Sequence, residues 1–338
     1  MQILTQEVTR TTEEVGLADA DPVLSNTALP LRALYFPLGF PLEIATNSQA
    51  VLAAAAQSWG LCRPRFSCPP LTLRLGVIGD RSDSLDIPPV PVCRIQKNLI
   101  STIADAHNFV ITDLAAGFSF GSVTPQAAES ALYLRYHFLE AATLCMVAAL
   151  RAAPLHAACV IPSGRGMLLC GDSGAGKSTL AFAGARSGWT LVCDDSSYLP
   201  LDRTDRLVLG NCHQIRLRDS CVQLFPELEG RPVTPRASGK PSVELLTADF
   251  PDIRTANSAT VEYVVFLNRQ NAKTSKLVPF SRESAVSWFN QFSVKTTPSQ
   301  SAQEAAIRHL LDVEIFELRY TDLDWAIERI QTLAITGR

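Results

Sequence analysis

The sequence predicts an α/β fold with an additional α+β region at its N-terminal end. Two observations favour the α/β fold: a glycine-rich loop at residues 171–179 between an apolar strand and a helix, and a second apolar strand that ends in Asp194-Asp195. A third observation predicts the additional region, since short strand-like segments separated by turn residues fill the first third of the chain. Strands that read as continuous apolar runs and alternate with helices are typical of sheets covered on both faces.

Composition limits the class of protein. The 338 residues allow two domains, and the apolar content of 47% against 19% charged residues is that of a chain that folds around a core. The formal net charge is −3, from 33 acidic and 30 basic residues. A chain with this balance has no broad basic field, so we expect neither nucleic acid nor an anionic membrane as a partner.

The cysteines and the apolar runs indicate the compartment. Nine cysteines, an odd number without a CxxC pair, argue against a disulfide framework and against a zinc ribbon. The first residues lack the layout of a signal peptide. The longest apolar run, residues 141–150, has about half of the ~20 residues that a membrane span needs. We expect a cytoplasmic protein with no membrane span.

The N-terminal part divides into two segments. Residues 1–30 are polar and weakly patterned, and we expect a loosely held tail there. Residues 31–123 predict an α+β region, whose role the sequence does not indicate. Its predicted strands cover residues 31–38, 71–78, 90–95 and 108–112, and its predicted helix covers residues 49–59.

Residues 124–338 predict a nucleotide-binding catalytic domain. It opens with a long helix over residues 125–153, which has Thr124 as its N-cap, Pro125 at its first position and Pro154 as its stop. A hairpin with strands at 156–161 and 167–170 then leads into the glycine-rich loop. The elements expected after the loop are a helix at 177–187, strands at 189–193, 207–209, 213–217 and 261–267, and helices at 284–292, 301–311 and 323–332.

The glycine-rich loop matches the phosphate-binding pattern GxxxxGK[ST]. Its glycines let successive backbone N–H groups point at phosphate oxygens, and the following helix adds the positive end of its dipole. Lys177 would contact the β- and γ-phosphates, and the Ser178 hydroxyl would ligate Mg²⁺. The residues predicted to bind the nucleotide are Gly171, Asp172, Ser173, Gly174, Ala175, Gly176, Lys177, Ser178 and Thr179.

Three further side chains are candidates for catalysis. Asp194 and Asp195 end a strand that we expect beside the loop strand, where one acid would hold Mg²⁺ and the other would accept a proton. His156 begins a strand of the hairpin that feeds the loop, and it would tune proton transfer. The alternatives are a loop cap for the two acids and a packed, hydrogen-bonded role for the histidine.

These residues together resemble a known family. The runs Leu155-His156-Ala157-Ala158-Cys159-Val160 and Leu191-Val192-Cys193-Asp194-Asp195, with the loop between them, resemble the catalytic domain of HPr kinase/phosphorylase. The arrangement is also similar to ATP-dependent phosphoenolpyruvate carboxykinase, which shares the nucleotide core of that family. The clear match covers residues 154–200, and residues 261–267 and 314–332 more loosely resemble the distal part of HPr kinase-related proteins.

The resemblance implies a fold and a set of roles. The fold would be a P-loop nucleotide-binding core of the HPr kinase and phosphoenolpyruvate carboxykinase type, with the α+β region preceding it. Lys177 and Ser178 would hold phosphates and Mg²⁺, Asp194 would be a metal ligand, Asp195 the catalytic base, and His156 an assistant in proton transfer.

The sequence also departs from that family. Where HPr kinase has a glutamate before an Ile-Arg pair, this chain has Gln214 before Ile215-Arg216, and an amide is only a neutral donor to Mg²⁺. The loop that engages the HPr protein is not found, and the N-terminal region does not resemble that of HPr kinase. We therefore do not expect HPr as the substrate.

The predicted activity is that of a kinase. It would use Mg-ATP and transfer the γ-phosphate to a hydroxyl acceptor, which is a serine of a protein or peptide or a small-molecule alcohol. The main alternative is a non-catalytic ATP-binding regulatory module, which Gln214 favours and the retained Asp pair opposes. ATP hydrolysis and decarboxylation of an oxaloacetate-like acid are lesser alternatives, and a homo-oligomer stays open.

A group of basic residues follows the two acids. Phosphoryl transfer needs positive charge on the moving group, which an arginine clamp often supplies. Arg216 is the strongest candidate because it belongs to the Ile-Arg pair, and residues 236–240 are a candidate for a loop that closes over the substrate. A solvated surface role is the alternative for each member of the group, which is Arg216, Arg218, Arg231, Arg236 and Lys240.

Overall fold

The computed structural model describes residues 21–24, 26–79, 88–234, 241–269, 274–291 and 298–338. The chain forms two compact units that divide between Leu150 and Arg151. The sequence analysis placed the start of the second domain at residue 124, so the helical segment after Thr124 lies in the first unit instead. Residues 1–20 of the predicted tail lie outside the described residues.

The first unit is built on a seven-stranded mixed sheet. Its strands are β1 (Leu31–Tyr35), β2 (Leu42–Thr46), β3 (Leu71–Val77), β4 (Val92–Gln96), β5 (Leu99–Ile103), β6 (Phe109–Asp113) and β7 (Phe118–Val123), in the order β1-β2-β3-β7-β6-β5-β4. Helix α1 (Gln49–Trp59) connects the parallel strands β2 and β3. The predicted bounds of α1 are confirmed. Strands β2, β5 and β7 were not predicted.

The helical segment after Thr124 is interrupted. Its parts are α2 (Pro125–Glu129), α3 (Ala131–Leu134), a π-helical turn (Arg135–Leu139) and α4 (Glu140–Leu150). The Thr124 hydroxyl caps α2 by accepting the Ala127 N–H at 3.4 Å, as predicted, but Ser130 leaves the helical conformation with ψ of 86°. The single long helix over residues 125–153 is therefore wrong, since the chain breaks at Ser130 and the last predicted turn belongs to a strand.

The second unit contains a larger sheet. Its strands are β8 (Ala152–Leu155), β9 (Ala157–Ile161), β10 (Gly166–Cys170), β11 (Thr190–Cys193), β12 (Ser197–Pro200), β13 (Leu207–Gly210), β17 (Arg254–Thr255), β18 (Ser258–Asn268), β19 (Lys276–Pro279) and β20 (Glu314–Arg319). Eight of them follow the order β17-β11-β9-β10-β18-β13-β12-β8, and β20 pairs with both β18 and β19. Three further strands, β14 (Gln214–Leu217), β15 (Val233–Thr234) and β16 (Ser242–Leu246), form a separate small sheet. Their order in it is β14-β16-β15.

Helices cover the large sheet on both faces. They are α5 (Lys177–Arg186), α6 (Arg282–Asn290), α7 (Gln300–Leu310) and α8 (Leu323–Thr336). Helices α5 and α8 and the inner face of the small sheet share one apolar core with the large sheet, and α6 and α7 share the other. Strand β10 contributes to both cores, with Met167 and Leu169 in the first and Leu168 and Cys170 in the second. This burial on both sides is why residues 166–170 form a continuous apolar run.

The α/β fold class is thus confirmed as a mixed fold with several sheets. Within the described residues, no helix has the length and apolar character needed to cross a membrane.

Packing in the second unit predicts whether one substitution raises or lowers the free energy of unfolding. A Cβ on Gly184 of α5 would lie 2.1 Å from Trp189 Cε3, inside the buried indole. Replacing a helical glycine with alanine ordinarily stabilises by about 1 kcal/mol. Here we expect Gly184→Ala to lower the free energy of unfolding by about 1–3 kcal/mol in urea titrations, because the ring must move. In a Trp189→Leu background Gly184→Ala should lower the free energy of unfolding by less. An equal loss in both backgrounds would contradict the packing argument.

Candidate functional site

Strand order brings the predicted site residues to one edge of the large sheet. Strand β9 lies between β10 and β11 and is antiparallel to both, with Cys170 opposite Ala157 and Cys193 opposite Cys159. The sequence analysis placed the strand of the two acids beside the loop strand, and this is wrong, because β9 separates them. Because β9 is antiparallel to both neighbours, its start lies at the same edge of the sheet as the ends of β10 and β11. His156, the glycine-rich loop and the two acids therefore meet at that edge.

The loop between β10 and α5 has the conformation that its glycines allow. Gly174 and Gly176 have φ angles of +97° and +99°, a region that residues with a Cβ rarely adopt. A Cβ on Gly176 would also lie 2.7 Å from the Tyr320 hydroxyl. The Lys177 ammonium folds back over the loop and donates to the carbonyl oxygens of Gly171, at 2.8 Å, and Asp172, at 3.4 Å.

Lys177, His156 and Asp195 form a contiguous group. The Lys177 Nζ lies 3.0 Å from His156 Nε2 and 3.6 Å from Asp195 Oδ1, and His156 Nδ1 lies 3.6 Å from the same Asp195 oxygen. An ammonium group can only donate, so Nε2 accepts, and a neutral His156 carries its proton on Nδ1, which faces Asp195. The geometry therefore joins three of the four residues predicted to be catalytic.

The burial of Lys177 shapes its chemistry. Its side chain is 4% exposed, whereas those of His156 and Asp195 are 29% and 27% exposed. Burial lowers the pKa of the Lys177 ammonium, because the charged form loses hydration, and the Asp195 carboxylate opposes that shift. The cation is thus held inside the loop, with the two more exposed side chains on its open side.

Asp194 points away from this group. It is buried, and its Oδ2 accepts the backbone N–H of Arg216 on β14 at 3.2 Å. The Ser178 hydroxyl donates to the Asp194 carbonyl oxygen at 3.3 Å. The two adjacent acids therefore face different surroundings: Asp195 faces the lysine and the histidine, and Asp194 lies between α5 and the small sheet.

The described members of the basic group differ in what they contact. Arg216 pairs with Glu244 on the neighbouring strand at 3.1 Å, so its charge is already balanced. Arg231 pairs with Asp249 at 3.1 Å. Arg218 instead reaches the loop and donates to the Ser173 hydroxyl at 3.0 Å. Arg236 and Lys240, with the rest of the predicted closing loop, lie outside the described residues.

Sequence reasoning missed two further contacts with the loop. The Trp288 indole N–H donates to Asp172 Oδ1 at 3.2 Å, and the Tyr320 hydroxyl donates to the Ala175 carbonyl oxygen at 3.3 Å. Both residues lie more than 100 positions from the loop, and no local sequence pattern predicts these contacts. Tyr320 directly follows β20, which lies parallel to β18, and only this strand pairing brings it to the loop.

Comparisons with known proteins add little to this geometry. No family model matches the chain, and no curated protein matches it. One similar solved structure is that of the Hpr(Ser) kinase/phosphatase from Coxiella burnetii, at 14% sequence identity and a TM-score of 0.32, over 55% of this chain and 95% of that chain. A similarity this low assigns no activity to the chain.

The lysine contacts predict a measurable shift. Because the Asp195 carboxylate favours the charged ammonium, we expect Asp195→Asn to lower the pKa of Lys177 still further. The pKa can be followed by NMR with ¹³C-labelled lysine, since the chain has six lysines and a Lys177→Arg variant assigns the signal.

The matched control for that shift is Asp205→Asn. Asp205 is an exposed carboxylate that pairs with Arg203, so its loss should leave the Lys177 signal unchanged. A rise in the pKa of Lys177 on Asp195→Asn would contradict the arrangement.

Proposed function

We propose that the second unit is a kinase that binds Mg-ATP at residues 171–179 and transfers the γ-phosphate to a hydroxyl acceptor. The observation that supports this best is the meeting of Lys177, His156 and Asp195 within 3.0–3.6 Å at the mouth of the glycine-rich loop. A cation and a carboxylate beside a phosphate-binding loop are groups that phosphoryl transfer uses, and an imidazole can assist proton transfer there.

The loop provides the phosphate site. The backbone N–H groups of residues 171–177 and the N-terminus of α5 would bind the phosphate oxygens, and Lys177 would exchange its carbonyl contacts for the β- and γ-phosphates. Arg218, which already contacts Ser173, would add positive charge on the outer side of the loop.

The metal site would use oxygen donors next to the loop. The Ser178 hydroxyl contacts the backbone carbonyl oxygen of Asp194, and the Asp194 carboxylate accepts the Arg216 N–H. A hydroxyl with one carboxylate would suit Mg²⁺, which takes its other ligands from phosphates and water, once the Asp194 side chain turns toward Ser178. When bound, Mg²⁺ neutralises charge that develops on the phosphates. The position of the family's additional acid is held by Gln214, which is buried on the same face of β14 as Arg216.

Asp195 is the proposed base. It would take the proton of the acceptor hydroxyl while the acceptor oxygen bonds to the γ-phosphorus and the bond to the bridging oxygen of ADP breaks. The Nδ1–H of a neutral His156 would hold the Asp195 carboxylate in place. The acceptor is a serine of a protein or peptide or a small alcohol, and the absence of the HPr-engaging sequence argues against HPr.

The family assignment is part of this proposal. The second unit would be related to HPr kinase-like P-loop proteins, and what supports this is the motifs at His156, in the loop and at Asp194-Asp195, together with their convergence at one sheet edge. A non-catalytic ATP-binding module is the second candidate, since Gln214 replaces an acid and Glu244 already neutralises Arg216.

A labelling experiment tests the proposal. Purified protein, Mg²⁺ and γ-labelled ATP are incubated with a lysate of the source cell, and label is expected in one discrete acceptor. Asp195→Asn should reduce that labelling by about 10²–10⁴-fold, the usual contribution of a general base, while ATP affinity changes little.

Asp205→Asn serves as the control, because it removes an exposed carboxylate that pairs with Arg203 and not with the site residues, and it should leave labelling unchanged. Label that appears only as inorganic phosphate would show an ATPase instead. Binding of ATP with no transfer in any sample would favour the regulatory module.

A further inference from the structure

A cavity of about 620 Å³ lies along α5, from Thr179 in its first turn to Ser187 at its C-terminal end, and the proposed catalytic residues do not line it. Its volume is in the range of about 300–1,000 Å³ that small-molecule sites have. Four segments of the second unit line the cavity. Helix α5 contributes Thr179, Ala183, Arg186 and Ser187, and the residue after β18 is Arg269. The other two segments are residues 223–227, and residues 320–324 with 327, which run from the end of β20 into α8.

The topology places this cavity at the ligand-binding edge of the sheet. Strands β10, β18 and β20 are parallel neighbours, so their C-terminal ends lie at one edge. The loop follows β10, Arg269 follows β18, and Tyr320 and Thr321 follow β20. Ligands of open α/β sheets bind in the crevice outside these ends. The cavity thus continues the edge on which the phosphate loop lies, on the side opposite to β9.

Helix geometry gives the bound nucleotide a direction. Lys177 and Thr179 are two positions apart in α5, which is a rotation of about 200° around the helix axis. Lys177 points to Asp195, and Thr179 lines the cavity. A triphosphate whose γ end lies at Lys177 and which crosses the N-terminus of α5 therefore has its other end at the cavity.

We propose that this cavity binds the nucleoside half of the nucleotide. Ala183, Leu224, Leu323 and Ile327 provide apolar wall for a base, and the carboxylates of Asp322 and Asp324 are acceptors for ribose hydroxyls or a base amino group. Arg269 lies toward the loop, since a Cβ on Gly176 would be 4.0 Å from its Cδ, and it would meet the first phosphate. The inference rests on the proposed function, because it supposes a nucleotide at the loop.

The test compares a nucleotide with its phosphate chain alone. Mg-ATP and Mg-tripolyphosphate are titrated by calorimetry against the full chain and against Thr321→Trp, which places a large ring in the cavity from an exposed position. We expect Thr321→Trp to raise the Kd of Mg-ATP about tenfold or more, toward that of Mg-tripolyphosphate, and to leave the tripolyphosphate affinity unchanged. The control is Thr332→Trp, the same substitution at an exposed position of α8 that does not line the cavity.

The outcomes separate the two proposals. If Thr321→Trp binds Mg-ATP as the wild type does, or loses affinity equally for both ligands, the cavity assignment is overturned while the kinase proposal stands. If the wild-type chain binds neither ligand, the phosphate site itself is overturned, and the cavity assignment with it.

Discussion

The buried charge of Lys177 is the interaction on which the site depends. An ammonium group removed from water is costly unless it is paired and hydrogen-bonded. Here two loop carbonyls, an imidazole nitrogen and a carboxylate surround it, and these four groups come from three parts of the edge. Strand pairing brings the loop, the start of β9 and the end of β11 to this edge, and their side chains and carbonyls there stabilise one cation. In the proposed function the same cation would bind a phosphate that replaces the carbonyls.

The sequence predicted the local parts of this arrangement and missed the long-range ones. The loop, its flanking strand and helix, and helix α1 were predictable because periodicity and glycine positions are local signals. The interposed position of β9 was not, since strand order depends on pairing between distant segments. Arg218 was ranked below Arg216 for the same reason: only the fold shows that one reaches Ser173 while the other is paired with Glu244.

The two adjacent acids show how a single dipeptide serves two environments. Asp194 is buried against β14 and close to Ser178, whereas Asp195 is more exposed and contacts Lys177 and His156. This separation of surroundings supports separate roles in metal binding and proton transfer. It also weighs against a purely structural role, because neither a loop cap nor ATP binding alone requires a second carboxylate beside the lysine.

The contacts that hold the loop from outside affect when the site can form. Arg218, Trp288 and Tyr320 lie 45, 116 and 145 positions from their loop partners, so they become available late in synthesis. Contacts between segments so far apart in the chain form only after much of the chain entropy has been lost. The loop itself is short and local, but its final geometry also depends on contacts from α6 and from the residue after β20. The final geometry of the loop is therefore a late event of folding, and a nascent chain that has made the loop but not β20 would still lack the Tyr320 contact.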